Sequence, residues 1–248
     1  MARLANTVAL VTGGSRGIGA ATAEVFAAEG ARVIITHRDS GDEAEAVVAE
    51  LPGDGHRVIQ ASAVDSDAVV QAAASVAETE GRLDVLVNNA ARSRPIPHRD
   101  LEALDDEFFD AIMQTNVRGV FSTVRAFRDL LAADGGGVVV NVSSLAARMA
   151  EGSNIAYSAS KAALDNMTMS LARALAPEIR VVSVAPGLVL TKFTSTWAPE
   201  VRQRQIDRTP LGRLATPEDI GRAILAVATD LGSTTGAVVP VDGGRPLG

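Results

Sequence analysis

Short runs rich in β-branched residues alternate along the whole chain with longer, alanine-rich stretches whose apolar residues recur at helical spacing. The pattern predicts strands at Thr7–Thr12, Ala31–Thr36, Arg57–Ser62, Val85–Asn88, Gly137–Ser143, Arg180–Ala185 and Ala237–Val241. Several of these are near-continuous apolar runs, such as Val85–Val87 and Val138–Val140, as expected of parallel strands covered on both faces. Helices are predicted between them at Ile18–Glu29, Asp42–Leu51, Asp67–Glu80, Leu101–Leu131, Ile155–Ala176 and Pro217–Thr229. No Pro/Ser-rich linker, compositional break or internal repeat divides the chain. The alternation therefore implies one α/β domain over residues 1–248: a doubly wound, seven-stranded parallel sheet with right-handed crossovers and helices on both faces. One long stretch, 192–214, has no clear periodicity, and in a compact domain such a segment suggests a binding lid.

Composition narrows the function. An apolar content of 47% suffices to bury a substantial core. The net charge of −7 and the absence of any basic run longer than two residues argue against a nucleic-acid partner. With no cysteine, and with His37, His56 and His98 scattered, no metal site is expected. No apolar stretch approaches the roughly 18 residues of a membrane span, and the apolar run after the N-terminus is too short for a signal peptide. The expectation is a soluble cytoplasmic protein with no membrane partner.

The first predicted strand runs into Thr12-Gly13-Gly14-Ser15-Arg16-Gly17-Ile18-Gly19, and a helix follows at once. Glycines in such a turn let the backbone approach a pyrophosphate at the positive end of the helix, as in dinucleotide-binding Rossmann folds. The spacing, Gly-x-x-x-Gly-x-Gly, differs from the common Gly-x-Gly-x-x-Gly. The second strand ends in His37-Arg38 with no acid at its tip, where an NAD site usually places Asp or Glu for the ribose 2′-hydroxyl. Arg16 and Arg38 would suit a 2′-phosphate, so NADP(H) is the expected cofactor.

Tyr157, the only tyrosine, lies four residues before Lys161, which puts both on one helical face. A cation there favours the phenolate, predicting a phenol pKa well below the usual value of about 10 and lower still beside oxidised cofactor. An arbitrary pair with this spacing is more often a surface feature of an amphipathic helix. The wider set of motifs decides between the two.

Those motifs are Thr12–Gly19, Asn88-Asn89-Ala90, Asn116, Ser143-Ser144, Tyr157 with Lys161, Pro186-Gly187 with Thr191, and Asp242-Gly243-Gly244. In this order and spacing, over essentially the full length, the chain resembles the classical short-chain dehydrogenase/reductases. The resemblance implies a catalytic tetrad of Asn116, Ser144, Tyr157 and Lys161. Tyr157 would donate a proton to a carbonyl oxygen, Ser144 would hydrogen-bond the developing oxyanion, and Lys161 would lower the phenol pKa and hold the nicotinamide ribose. Asn116 would hold a water linking Lys161 to solvent. Ser143 competes with Ser144 for the serine role, and the thirteen-residue spacing to Tyr157 favours Ser144.

The same resemblance assigns cofactor contacts to Gly13, Ser15, Arg16, Gly17, Ile18, Gly19, His37, Arg38, Ser62, Ala63, Asn89 and Ala90, with Asn88 bordering the ribose. Tyr157, Lys161, Pro186, Gly187, Val189 and Thr191 complete the set. It further implies a homotetramer or dimer formed through the long helices and the last strand. Three positions depart from the family pattern: Ser62 replaces an adenine-binding aspartate, Ala91 a glycine, and Val182 an asparagine. Substrate contacts are expected from Arg94, Leu145, Met149, Asn154, Leu188, Phe193 and Trp197; Arg92 and Arg94 could attract an acidic substrate, but a solvated rim is the preferred reading of that pair.

The expected activity is NADPH-dependent reduction of a ketone, with 3-oxoacyl carrier-protein reduction the nearest familiar case; the ends of the long helices are neutral to acidic, which leaves Arg125 and Arg128 as the candidates for docking a carrier. The alternatives are an NAD(P)+-dependent alcohol or sugar dehydrogenase, an imine reductase, and a non-catalytic NADP(H) sensor.

Overall fold

The computed structural model describes residues 2–191 and 198–247. All seven predicted strands form: β1 (Val8–Thr12), β2 (Arg32–His37), β3 (Arg57–Gln60), β4 (Val85–Asn88), β5 (Gly137–Val142), β6 (Ile179–Pro186) and β7 (Val238–Val241). They pair in parallel in one sheet of order β3-β2-β1-β4-β5-β6-β7. The strand order reverses between β1 and β4, and at such a switch point the carboxyl ends of the strands open a crevice.

The period-2 alternation of strand side chains divides the core. Ala9, Val11, Val33, Ile35, Val87 and Val140 face a layer that includes α1 (Gly17–Ala28), α2 (Gly41–Glu50) and α9 (Pro217–Thr229). Leu10, Ile34, Leu86, Val139 and Val181 face the opposite layer, with α3 (Ser66–Thr79), α5 (Val120–Ala132) and α7 (Ile155–Leu175). Val182, where the family often has asparagine, is fully buried opposite Val140. Capping sets several helix starts. The Asp65 side chain accepts from the amides of Asp67 and Ala68, and Thr216 and Asp219 form a reciprocal capping box.

Two expectations need correction. The single helix Leu101–Leu131 is divided: 101–105 forms turns, Asp105 caps α4 (Asp106–Met113), and a π-helical stretch, Gln114–Gly119, leads into α5. The Asp105 carboxylate accepts from the Phe108 amide at 2.7 Å, and the acids Asp106 and Glu107 suit a helix N-terminus. The stretch 192–214 is not uniformly irregular, because α8 (Pro199–Asp207) forms within it with Pro199 in its first turn. A short helix, α6 (Ala146–Met149), was too brief to show periodicity. Among the described residues no helix is long and apolar enough to cross a membrane.

Candidate active site

The loop after β1 folds against the β4 end. The Thr12 hydroxyl accepts from the amides of Asn89 and Ala90 at 3.0 Å each, and the Asn89 amide group donates to the carbonyls of Thr12 and Gly13, also at 3.0 Å. Gly13 and Gly17 have φ of +66° and +58°, a region side chains disfavour. At Gly19 a Cβ would lie 2.4 Å from the Gly13 carbonyl and 2.6 Å from Asn89 Nδ2, so only glycine lets the helix start this close to the loop.

Beside this loop lies a groove of about 300 Å³. It brings together Gly13, Ser15, Arg16, His37, Arg38, Ser62, Ala63, Asn89 and Ala90 as expected of a cofactor site. Gly17, Ile18 and Gly19 open α1 beside it. The donors fit a dinucleotide: a cationic rim from Arg16 and Arg38, and His37, whose ring is buried with Nδ1 unpartnered.

Two expectations change here. Asn88 does not border this groove; its amide donates to Asn141 Oδ1 at 2.9 Å, in a buried chain continuing through Thr168 to Ser183. An acid does stand near the β2 tip, since Asp39 lines the groove and ion-pairs with Arg38. Arg16 has no ion-pair partner among the described residues.

Ala91 lines both this groove and a larger one of about 1200 Å³, so the two adjoin. Tyr157 and Ser144 line the larger groove, with Arg94, Leu145, Met149, Gly187, Leu188 and Thr191. α7 is started by Asn154, which accepts from the Tyr157 amide at 2.8 Å and so fixes the first turn that carries the phenol. Asn154 is therefore not a substrate contact. It is fully buried, and its amide donates to Arg94 O at 2.9 Å and to Ser93 Oγ at 3.3 Å. Phe193 and Trp197 lie outside the described residues.

Ser144 lines the same groove as Tyr157 and lies near enough to the phenol to favour the phenolate, whereas Ser143 does not line that groove, which supports Ser144 over Ser143. Ser143 is buried and faces away toward Asp165; neither Ser143 Oγ nor Asp165 Oδ1 has a partner at normal hydrogen-bond distance, although the hydroxyl is near enough to favour the ionised carboxylate. Lys161 is buried; its Nζ donates to Val142 O at 2.7 Å and lies 5.7 Å from the Tyr157 ring centroid. Burial holds the Lys161 pKa down to about 8, with the Asp165 charge acting in the opposite direction. Asp165, one turn beyond Lys161, was overlooked in the sequence, although the i,i+4 spacing that joins Tyr157 to Lys161 continues to it.

The predicted low phenol pKa does not hold for the protein without cofactor. Burial pushes the Tyr157 phenol up, and the nearby Ser144 hydroxyl only partly opposes this. Lys161 does not reverse the shift, because its ammonium is set back from the ring and bonded to a carbonyl. The Asn116 amide is also engaged: Oδ1 accepts from Arg92 N at 2.8 Å, and Nδ2 donates to Arg92 O at 3.1 Å and to Ser160 Oγ at 3.0 Å. A water link from Asn116 to Lys161 would therefore have to use its backbone carbonyl. On the far side, Gly187 abuts Asp242, where a Cβ would be 2.8 Å from its Cα, and Pro186 O accepts from Leu145 N at 2.8 Å. Val189 is buried and bridges to Ala215. The groove also contains His98, Gln205, Arg208 and Arg245, which no motif or periodicity along the chain groups together.

Residues 13–245 match a short-chain dehydrogenase family model described as enoyl-(acyl carrier protein) reductase. The chain is 41% identical over 243 residues to a protein of Streptomyces violaceoruber assigned as a ketoacyl reductase of granaticin polyketide synthase, covering 97% of this chain and 96% of the relative. It is 36% identical to the 3-oxoacyl-[acyl-carrier-protein] reductase of Thermotoga maritima, covering 98% of each. A crystal structure from Burkholderia xenovorans, assigned to the short-chain dehydrogenase/reductases, superposes with a TM-score of 0.90 at 35% identity and 98% coverage of both chains. With the glycine loop and the Ser144-Tyr157-Lys161 cluster in place, the chain belongs to the short-chain dehydrogenase/reductase family of oxidoreductases.

Proposed function

We propose that this protein reduces a ketone to an alcohol using NADPH, with Tyr157 as the proton donor. The observation that carries this reading is that Ser144 and the Tyr157 phenol stand side by side in a groove that adjoins, at Ala91, the glycine-loop groove. A carbonyl oxygen between the two hydroxyls receives hydrogen bonds from both. Developing negative charge strengthens those bonds, which lowers the barrier more than it stabilises the bound ground state. Tyr157 then passes its proton to the oxygen. A high phenol pKa in the empty site keeps that proton in place until the charge develops.

When bound, the nicotinamide supplies the hydride. Gly13, Ser15, Gly17, Ile18 and Gly19 would hold the pyrophosphate, Ser62 and Ala63 the adenine, and Asn89 and Ala90 the ribose. Pro186, Gly187, Val189 and Thr191 would hold the carboxamide end. Lys161 would hold the nicotinamide ribose and support Tyr157 electrostatically, while Asn116 orders the Arg92 loop and Ser160 beneath it. α8, which contributes Gln205 to the groove wall, belongs to the substrate cover suggested by the sequence.

NADP(H) is preferred on Arg16 and Arg38, although the Arg38–Asp39 pair weakens half of that argument and is the observation favouring NAD(H). Fluorescence titration decides. NADPH should bind about 10–100-fold more tightly than NADH, and Arg16→Ala should remove most of the difference, as expected for a charge-assisted phosphate contact. Equal affinities in the unaltered protein would assign NAD(H) instead. Phe109 of α4, Phe121 of α5, and Ile155 and Met169 of α7 are exposed, which supports a homotetramer or dimer through these helices.

A further inference from the structure

The groove that holds Tyr157 is lined by four arginines, Arg92, Arg94, Arg208 and Arg245, and one carboxylate, Glu151. This concentration of positive charge occurs in a chain whose net charge is −7. Clefts lined by one sign of charge focus the field on the ligand that enters them.

The four cations differ in how they are engaged. Arg94 stacks over the Phe108 ring, 4.0 Å from its centroid, and approaches Asp105 at 3.4 Å. Arg92 lies 5.4 Å from the same ring centroid. These two are occupied in holding the β4–α4 loop. At the other end, Arg208 pairs with Glu151 at 3.2 Å. The guanidinium of Arg245, which follows β7 through Gly243-Gly244, donates among the described residues to neutral oxygens of Gln205, its backbone carbonyl and its Oε1. Among the described residues no carboxylate lies within ion-pair distance of it.

The charges that act on Arg245 are the repelling Arg208 and the attracting Glu151, so this end of the groove holds two cations against one anion. Arg245 is also partly withdrawn from water, and an arginine keeps its charge there. A partly desolvated guanidinium that shares its end of the groove with another guanidinium and has no carboxylate within ion-pair distance among the described residues is stabilised by an incoming anion. It offers that anion a planar, two-pronged donor.

We propose that Arg245, assisted by Arg208, forms an anion subsite at the end of the groove remote from Phe108, and that the substrate is a ketone bearing a carboxylate or phosphate away from its carbonyl. This rests on the carbonyl-reductase reading and specifies its substrate class. Anchoring the anion would orient the chain of the substrate along the groove, leaving its carbonyl to Ser144 and Tyr157. Arg245 would then govern the choice of substrate more than the rate of the chemical step.

Two matched pairs of ketones test this with NADPH and the full chain: 4-oxopentanoate against its methyl ester, and 3-oxobutanoyl 4′-phosphopantetheine against the dephosphorylated thioester. The charged member of one pair should have the higher kcat/KM by roughly 10–100-fold, the range of a hydrogen bond to a charged group. The pair that shows it identifies the anion as carboxylate or phosphate. Arg245→Gln should bring that ratio near parity through KM of the charged member, while Arg245→Lys retains most of it. The subsite is overturned if neither pair favours its charged member, or if R245Q keeps the original ratio. Should no ketone be reduced, the reductase reading fails separately. Calorimetry on the cofactor complex then judges the subsite: 4-oxopentanoate or the phosphopantetheine thioester must bind roughly tenfold more weakly to R245Q, and unchanged or absent binding of both overturns it.

Discussion

Tyr157→Phe lowers kcat by about 10³-fold or more and leaves the Kd for NADPH within about threefold of its original value. General-acid catalysis by a positioned side chain supplies about 10²–10⁴-fold. On the proposed mechanism the same hydroxyl also supplies one of two hydrogen bonds to the developing oxyanion, which places the loss toward the upper end. Phenylalanine retains the ring on α7, and the amide capped by Asn154 is a backbone group, so the helix start survives the change. Tyr157 and Ser144 line the larger groove and not the glycine-loop groove, so the change lies away from the glycine loop. Steady-state kinetics with the preferred ketone, together with NADPH titration of the same preparation, separates the two effects. Turnover at the original rate would remove the proton-donor role altogether.

Gly19→Ala is expected to act on the cofactor and on the fold together. The added methyl would lie 2.4 Å from the Gly13 carbonyl and 2.6 Å from Asn89 Nδ2. Both are held: Asn89 Nδ2 donates to the Gly13 and Thr12 carbonyls, and the Asn89 and Ala90 amides donate to the Thr12 hydroxyl. Relief therefore requires α1 to move away from the loop. Overpacking of this kind costs about 1–3 kcal/mol, which in a chain of this size lowers Tm by roughly 2–12 °C. Because the start of α1 that moves is, with the loop, the proposed pyrophosphate site, the Kd for NADPH should rise by about 30-fold or more, equivalent to about 2 kcal/mol. Gly232→Ala provides the control, since a Cβ there meets nothing within 4 Å. An unchanged Kd in Gly19→Ala would show that the loop does not bind the cofactor as described.

The residues that were legible in the sequence were those whose partners lie close along the chain or follow from periodicity. Val8–Thr12 and Val85–Asn88 announce buried parallel strands by composition, and Tyr157 and Lys161 share a face by helical spacing. Asn154 was also legible, as an asparagine before a helix, but its value as a cap was passed over in favour of a substrate role. Asp39 was missed because which way a side chain turns after a strand depends on the neighbouring loop. Arg208 and Arg245 come together only through the packing of α8 against the segment after β7. The direction of the Tyr157 shift was misjudged for a related reason. The Lys161 charge could be inferred from spacing, but the desolvation that outweighs it is a property of the folded site.

The lone tyrosine makes the central claim accessible to one measurement, because the phenolate absorbance of the protein comes from Tyr157 alone. In the free protein the phenol should titrate above its usual value of about 10, since burial disfavours the phenolate. Saturation with NADP+ should move it down, because the oxidised ring brings a positive charge beside the phenol that Ser144 and Lys161 already border. Spectrophotometric titration of the free protein and of the NADP+ complex is the decisive comparison. A lower pKa in the complex places Tyr157 against the nicotinamide as the proton donor, and an identical pKa in the two would contradict that placement.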